Sequence, residues 1–599
     1  MKTTLRQWEY YSMTETFSTL YKESQKDKKF NRLYELIISE ENILLAYRKI
    51  KKNKGSGTPG TDTYTIEEYK NIGKDDFIRT IRKSLNNYKP KPVKRVLIPK
   101  ENGDTRPLGI PTMLDRLIQQ MIKQILEPIA EAKFFKHSYG FRPLRSAHHA
   151  ISRCNFLVKT AKLQYAVDMD IKGFFDNVNH RVLIKQLWNM GIQDRRVLVI
   201  IGKILKAPIR NVGIPTKGTP QGGVLSPLLS NIVLHDLDMW IASQWEDHPS
   251  HFDYSTNSHR NHALKKTKLK QGYLVRYADD FKILTTDVKT AYKWYHAVRL
   301  YLKDRLNLDI SPEKSKVINL RKQGTEFLGY RIRAVKHKSG FVTRSDVRDK
   351  SIKRIKARGR EIILEIRNSP TAGNIQKWNS FVLGVHGYFK HSSLVSIVFA
   401  RIAYDLSRLQ YNRFRPIGKF VSTANAPPSY KKFYGKNNAK TWKISGRFLY
   451  PITDIKFSPA MNFNQNLTVF TERGRQLIHS KLQADIGYQI TILAKHQFVG
   501  YSLEFMDNRI SRYSMVQGKC EITGEFLEAD LVHCHHFIPS DIGGTDEYKN
   551  LRIIHVDVHK LVHATDSNTI QRLKNGLNLN TNQLNKLNSY RKVCNLEMI

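Results

Sequence analysis

Two adjacent carboxylates, Asp279 and Asp280, stand between two runs of β-forming residues. Tyr273, Leu274, Val275 and Tyr277 precede them, and Phe281, Ile283 and Leu284 come after. The pattern predicts strand, tight turn, strand, with the acids at the turn. Adjacent carboxylates repel one another and are costly to bury unpaired. A divalent cation removes that cost, and oxygen-only ligands favour a hard ion such as Mg²⁺. Turns also favour Asp for local reasons alone, so the pair by itself decides nothing. A second acidic pair, Asp168 and Asp170, ends the apolar, strand-like run that begins at Ala166. Further chemistry is concentrated near the C-terminus, in Val532-His-Cys-His-His, Asn550, and His559 with His563. Histidines four apart share one face of a helix and can share a metal.

The order of these stretches carries a resemblance. Asp170 is followed by Phe175, then by Gly218-Thr-Pro-Gln-Gly-Gly-Val-Leu-Ser-Pro, then by Tyr277-Ala-Asp-Asp. This series resembles the catalytic core of reverse transcriptases. Ile98-Pro-Lys-Glu-Asn-Gly-Asp-Thr-Arg-Pro-Leu-Gly-Ile-Pro-Thr and His137-Ser-Tyr-Gly-Phe-Arg-Pro-Leu-Arg-Ser are similar to motifs of group II intron-encoded proteins. Those proteins combine a reverse transcriptase, a maturase and often an endonuclease. Leu308-Asp-Ile-Ser-Pro-Glu-Lys-Ser-Lys and Glu326-Phe-Leu-Gly-Tyr-Arg-Ile match the last two palm motifs. The resemblance thins between residues 390 and 510.

What the resemblance implies can be stated residue by residue. Asp170, Asp279 and Asp280 hold two Mg²⁺ ions and are catalytic; Asp168 is their neighbour rather than a ligand. Lys100, Arg106, Phe175 and Gln221 bind the incoming dNTP, and Lys314 supports its triphosphate or a metal-site carboxylate. Phe175 is the bulky ring under the sugar, which would clash with a 2′-OH and so select dNTPs. The C-terminal series resembles HNH nucleases. There His535, His559 and His563 hold one divalent cation, His536 is the general base that activates water, and Asn550 orients the region. A Mg-dependent DNA endonuclease activity is expected from it. Many intron-encoded HNH domains carry two Cys-x-x-Cys pairs around a structural zinc. Here Cys520 is followed by Thr523, and His555 and Val558 replace the second pair, which argues against that zinc.

The elements that must position these residues are set by periodicity and composition. Residues 1–90 read as mostly helical, Val93–Pro111 as a hairpin turning at Asn102-Gly103, and Leu114–Ile129 as a core helix ended by Glu127-Pro128. Arg344 to Arg360 is strongly basic, with Ile352, Ile355, Gly359, Ile362 and Ile366 marking one helical face. The family places its thumb, or maturase domain, here, and Trp378-Asn-Ser-Phe-Val-Leu-Gly-Val-His-Gly-Tyr-Phe resembles its signature. Lys353, Arg354, Lys356 and Arg358, with Lys431, Lys432 and Lys436 among the aromatics of 412–445, are candidate nucleic-acid contacts. The fold class expected is multidomain α+β. Fingers and palm occupy 1–345, an α-helical thumb 346–425, a DNA-binding region 426–505, and a small ββα HNH domain 506–599.

Composition agrees with a polyanionic partner. Lys and Arg number 99 against 53 Asp and Glu, a formal net charge of +46, which points to nucleic acid. No apolar run reaches membrane-spanning length, and four scattered cysteines suggest a reducing compartment rather than a disulfide framework. The expected partners are intron RNA, target DNA and dNTPs, with no membrane, and with a homodimer left open. A bacterial cytoplasm or nucleoid fits, with an organelle as the alternative. Two rivals stand beside this reading. One is an RNA-binding splicing factor whose polymerase activity is dispensable. The other is a reverse transcriptase of another system such as a retron, against which the long His-rich C-terminal extension argues.

Overall fold

The computed structural model describes residues 2–99, 105–250, 252–338, 340–435, 439–478, 489–490, 492–493 and 501–599. The chain forms two compact units, each assembled from separate segments: Met1–Phe134, Gly173–Val233 and Gln465–Ile599 in one, Phe135–Lys172 and Leu234–Asn464 in the other.

The second unit is built on a four-stranded antiparallel sheet. Its strand order is Tyr273–Tyr277, Asp280–Thr285, Tyr165–Met169, Lys316–Asn319. The two middle strands have covered side chains on both faces, with Ala166, Val167, Phe281 and Ile283 wholly buried. Helices Ala147–Lys159 and Val288–Leu306 pack against this sheet. The expected strand–turn–strand around the acidic pair is present: Tyr277 faces Asp280 across a two-residue turn.

Three helices come next, Asp349–Asn368, Ala372–Phe389 and Val395–Phe414. The first buries Ile355, Gly359, Ile362, Ile363 and Ile366 and leaves Lys353, Arg354 and Arg360 exposed. Burying each Ile contributes about 1.5–3 kcal/mol, so this stripe fixes the helix and frees its basic face. Gly359 packs closely on the third helix, where a Cβ would meet Leu406 Cδ1 at 2.9 Å and that side chain would have to shift. The Trp378 motif binds a neighbouring segment instead of solvent. Trp378 Nε1 donates to the Tyr450 carbonyl at 2.9 Å, and Asn379 exchanges bonds with Phe448 and Tyr450.

In the first unit, helices Glu40–Lys51 and Met113–Glu131 form the core of the N-terminal segment. The second of these runs through Pro128, where the sequence suggests an end. Proline there removes one donor near the last turn, and Ala132 N still closes onto the Pro128 carbonyl at 3.2 Å. Strands Lys94–Pro99 and Thr105–Ile110 pair as the expected hairpin. Its turn, with Asn102, Gly103 and Lys100, lies outside the described residues, as does Lys436.

The C-terminal segment of this unit contains the hairpin Val532–His536 and Leu551–His555, followed at once by helix Val556–His563. Helix Leu503–Met515 precedes it and meets the N-terminal helices through a buried ionic cluster. Arg48 Nη1 lies 2.9 Å from Asp507 Oδ1, Lys51 Nζ lies 2.5 Å from Glu504, and the Tyr11 hydroxyl donates to Asp507 at 2.9 Å. Among the described residues no helix is long and apolar enough to cross a membrane.

Candidate functional site

The acidic turn is held from beneath and from the side. Ala278 sits at φ +57, a left-handed conformation that a non-glycine residue adopts only when its surroundings enforce it. Arg276 supplies much of that enforcement. Its guanidinium is fully buried, forms a bidentate pair with Asp238 at 2.7 and 2.5 Å, and donates to the Ala278 carbonyl at 2.8 Å. The His137–Ser146 motif lies along the same strand. Arg276 N donates to the His137 carbonyl at 3.1 Å, and Tyr139 N donates to the Arg276 carbonyl at 2.8 Å. Gly140 then passes so close to the turn that a Cβ would meet Ala278 N at 2.2 Å and the Tyr277 carbonyl carbon at 2.9 Å.

Asp170 directly succeeds the strand whose Met169 pairs with Phe281, which brings it toward Asp280. Its backbone is pinned: Asp170 N donates to Ser315 Oγ at 3.1 Å, and Ser311 N donates to the Asp170 carbonyl at 2.8 Å. Lys314 Nζ reaches its carboxylate at 3.4 Å, both side chains being largely open to solvent. Desolvation by the packed strands pushes the Asp280 carboxyl up to about 6, aided by Asp168, Asp279 and Asp170 and opposed by Lys282. The residue is exposed at the turn, so water screens part of that rise. Asp170, Asp279 and Asp280 are three mutually repelling acids, and they form a site that a divalent cation would relieve.

Asp168 is engaged elsewhere. Its two oxygens meet Lys282 Nζ at 2.9 Å and the Thr325 hydroxyl at 2.6 Å. Lys282 is 3% exposed; burial works against its charge, but Asp168 and Asp280 outweigh that and raise its pKa.

The residues expected to bind nucleotide fall in the first unit, apart from Lys314. Phe174 fills the core while Phe175 is only half-buried. Thr219 N donates to the Phe175 carbonyl at 2.7 Å, so the Gly218–Gly222 loop and Phe175 are joined. Gln221 is fixed through its carbonyl, which accepts from Gly109 N at 2.6 Å. Arg106, opposite Ile98 in the hairpin, is exposed. In the three-helix region Lys356 pairs with Asp405, and Arg358 pairs with Glu361 at 2.7 Å. Lys431 and Lys432 are exposed.

The C-terminal histidines gather on the hairpin and its helix. His535 is 2% exposed, and its Nε2 has no hydrogen-bond partner among the described residues. Its ring lies 5.3 Å from that of His563 and 5.4 Å from that of His559, centroid to centroid. His533 stacks on His559 at 3.5 Å. Burial first, then the crowding of the rings, pushes His535 and His559 down to about 3 and His533 to about 4. Neutral imidazoles are the form that binds a metal. An orphaned buried nitrogen among them fits a cation there. Beside this cluster His536 Nε2 and Asp546 Oδ1 are 2.7 Å apart, and the Ser502 hydroxyl donates to the other Asp546 oxygen. Asn550 closes the loop, donating to the carbonyls of Ile538 and Thr545, each at 2.9 Å, and accepting from Ile538 N at 2.7 Å. Cys520 Sγ accepts from the Thr523 and His555 amides, each at 3.4 Å, and His555 Nδ1 caps its own helix at Asp557 N.

Residues 98–332 match the family described as reverse transcriptase (RNA-dependent DNA polymerase). Protein YkfC of Escherichia coli is 34% identical over 328 residues, which is 51% of this chain and 83% of that protein. Group II intron-encoded protein LtrA of Lactococcus lactis is 35% identical over 368 residues, 53% of this chain and 59% of LtrA. The chain belongs to the group II intron-encoded reverse transcriptase/maturase family. It spans 59% of LtrA, and 39% of a putative COX1/OXI3 intron 2 protein of Saccharomyces cerevisiae that is 30% identical over 342 residues.

The matched stretch contains Arg106, Asp170, Phe175, Gln221, Asp279, Asp280 and Lys314, while the histidine cluster lies beyond it. Sequence reasoning misses three positions: Lys282, Arg276 and Asp546. Lys282 alternates with apolar residues as an inward strand position, and that placement is its one legible signal.

Proposed function

We propose that this intron-encoded reverse transcriptase copies RNA into DNA at the site formed by Asp170, Asp279 and Asp280. The observation that carries the reading is the convergence of these carboxylates on a braced turn, with Asp280 pushed up by burial and then by the neighbouring acids. Bound there, two Mg²⁺ ions would lower the pKa of the attacking 3′-OH and neutralise the leaving pyrophosphate. The protein's own part is to hold the acids in place: Arg276 and Gly140 fix the turn, and Ser315 fixes Asp170. Lys100, Arg106 and Lys314 supply cations for the triphosphate, Gln221 contacts the nucleotide, and Phe175 sits under the sugar. The exposed basic face of Asp349–Asn368, with Lys431 and Lys432, binds intron RNA and target DNA.

The C-terminal cluster nicks DNA in this proposal, leaving a 3′-OH that primes synthesis. His536, oriented by Asp546, takes the proton of a water. Asn550 braces the loop behind it, and His535, His559 and His563 would hold one divalent cation. Primer extension on an RNA template with dNTPs and Mg²⁺ tests the central reading. Extension by the wild type and none by Asp279→Ala is expected. Equal extension by both would overturn the assignment of the carboxylates.

A further inference from the structure

The end of the chain returns to the histidine cluster. Helix Thr581–Val593 is clamped to the helix that carries His559 and His563. The clamp is Arg591, 2% exposed, whose Nη1 donates to the carbonyls of Leu561 at 2.8 Å, Val562 at 3.2 Å and Ala564 at 2.8 Å. One residue earlier, Tyr590 stacks on the His535 ring at 5.7 Å and meets Phe537 edge-on at 5.0 Å. These two anchors set the register of the helix end. Cys594, the residue that caps the helix, comes to rest beside the cluster, where its Sγ and one ring nitrogen each of His535 and His563 all lie within 4.8 Å of one another.

We propose that Cys594 is a ligand of the C-terminal cation, with His535 and His563, and that this site takes a zinc-class ion rather than Mg²⁺. The proposal rests on the nuclease reading for its purpose, but its geometry is independent of it. Two observations point to a ligand. The buried His535 Nε2 has no partner among the described residues, and a soft sulfur is brought to the same place by two separate anchors. Ligand chemistry then chooses the ion. Mg²⁺ requires oxygen donors, whereas two imidazoles and a thiolate suit zinc. Three protein ligands also leave one coordination position of zinc for water or substrate. In this set Cys594 takes the place that the nuclease reading gives His559, which stacks on His533 with its ring 4.7 Å from that of His563. The sequence has none of the usual paired cysteines for a structural zinc.

The test is Co²⁺ titration of the metal-stripped full-length protein, monitored by absorption. A thiolate ligand gives a near-ultraviolet sulfur-to-cobalt charge-transfer band, in addition to the visible bands of a tetrahedral site. The wild type is expected to show both, with Zn²⁺ displacing Co²⁺ and millimolar Mg²⁺ failing to. Cys594→Ser should lose the charge-transfer band and weaken Co²⁺ binding at least about tenfold, the loss that removing even an outer partner of a metal ligand causes. Cys594→His should restore affinity without the band, which guards against a variant that simply misfolds. An unchanged band in Cys594→Ser, or displacement of Co²⁺ by Mg²⁺, would overturn the proposal. The nuclease reading is tested separately by His536→Ala, which should abolish nicking while leaving the cobalt spectrum intact. Nicking that survives in His536→Ala, with the spectrum as expected, would sink that reading and spare the metal site.

Discussion

Replacing Lys282 with Met removes the buried cation that pairs with Asp168. Asp168 would then keep only the Thr325 hydroxyl at 2.6 Å, with its second oxygen buried and unpaired. Breaking a buried ion pair by deleting one partner costs about 3–5 kcal/mol. The surviving hydrogen bond argues for the lower end, about 3 kcal/mol, or a roughly hundredfold loss in the folding equilibrium. The double variant Lys282→Met, Asp168→Leu should recover part of this, because an apolar pair replaces the ionic one, while the buried Thr325 hydroxyl loses its acceptor and retains a smaller cost. A second effect is separable from the first. Lys282 opposes the rise in the Asp280 pKa, so its loss should push that carboxyl further up. The acid limb of the pH–rate profile for primer extension should move to higher pH, and more Mg²⁺ should be needed at any given pH. Urea denaturation gives the first effect, and extension rates from about pH 5.5 to about pH 9 at fixed Mg²⁺ give the second. A single variant that loses less than about 1 kcal/mol, the scale of an exposed pair, would refute the reasoning, as would a double variant no better than the single.

Other expectations rest on the same geometry. Gly140→Ala should displace the Ala278 turn and reduce primer extension sharply while leaving RNA affinity within twofold, as measured by filter binding. The raised Asp280 pKa makes the metal-free folded state bind more protons than the unfolded one. Its contribution is therefore present below the ordinary value of 3.8 and lost as pH rises to about 6, so Mg²⁺ should raise the melting temperature more at pH 7.5 than at pH 5. Phe175→Ala should admit ribonucleotides, seen as a reduced discrimination between dATP and ATP in single-nucleotide addition. Asp546→Ala frees His536 from its orienting partner and should lower nicking on the order of 10²-fold with little change in stability, checked by supercoil relaxation and thermal melts.

Much of this is legible in the sequence. Alternation and turn chemistry mark the hairpin at Asp279-Asp280, and motif order marks Asp170, Phe175 and Gln221. The histidine spacing places His559 and His563 on one helix face. Pro128 misleads, because near a helix end the lost donor matters little and local rules cannot see the packing that continues the helix. The brace on the turn is illegible for a different reason. Arg276 meets Asp238 and Gly140 meets Ala278 across long sequence separations, and nothing local in either stretch requires the partner. The same holds for Cys594, whose meaning depends on an arginine clamp that no periodicity encodes.

The pairing of Arg48 with Asp507 joins groups whose sequence separation is 459 residues. A ribosome adding about 5–20 residues per second needs roughly 20–90 s to span that distance. For all of that time the first-made helices carry a guanidinium destined for a dry site, and its counter-ion has not yet been synthesised. Arg48 and Lys51 must remain hydrated, which holds the Glu40–Lys51 face open until the C-terminal segment arrives. The segment with the histidine cluster is therefore a late-installed part of the first unit's interior. A nascent chain shortened before residue 504 would leave the ribosome with that face unsealed, a substrate for chaperones and proteases rather than a smaller working enzyme.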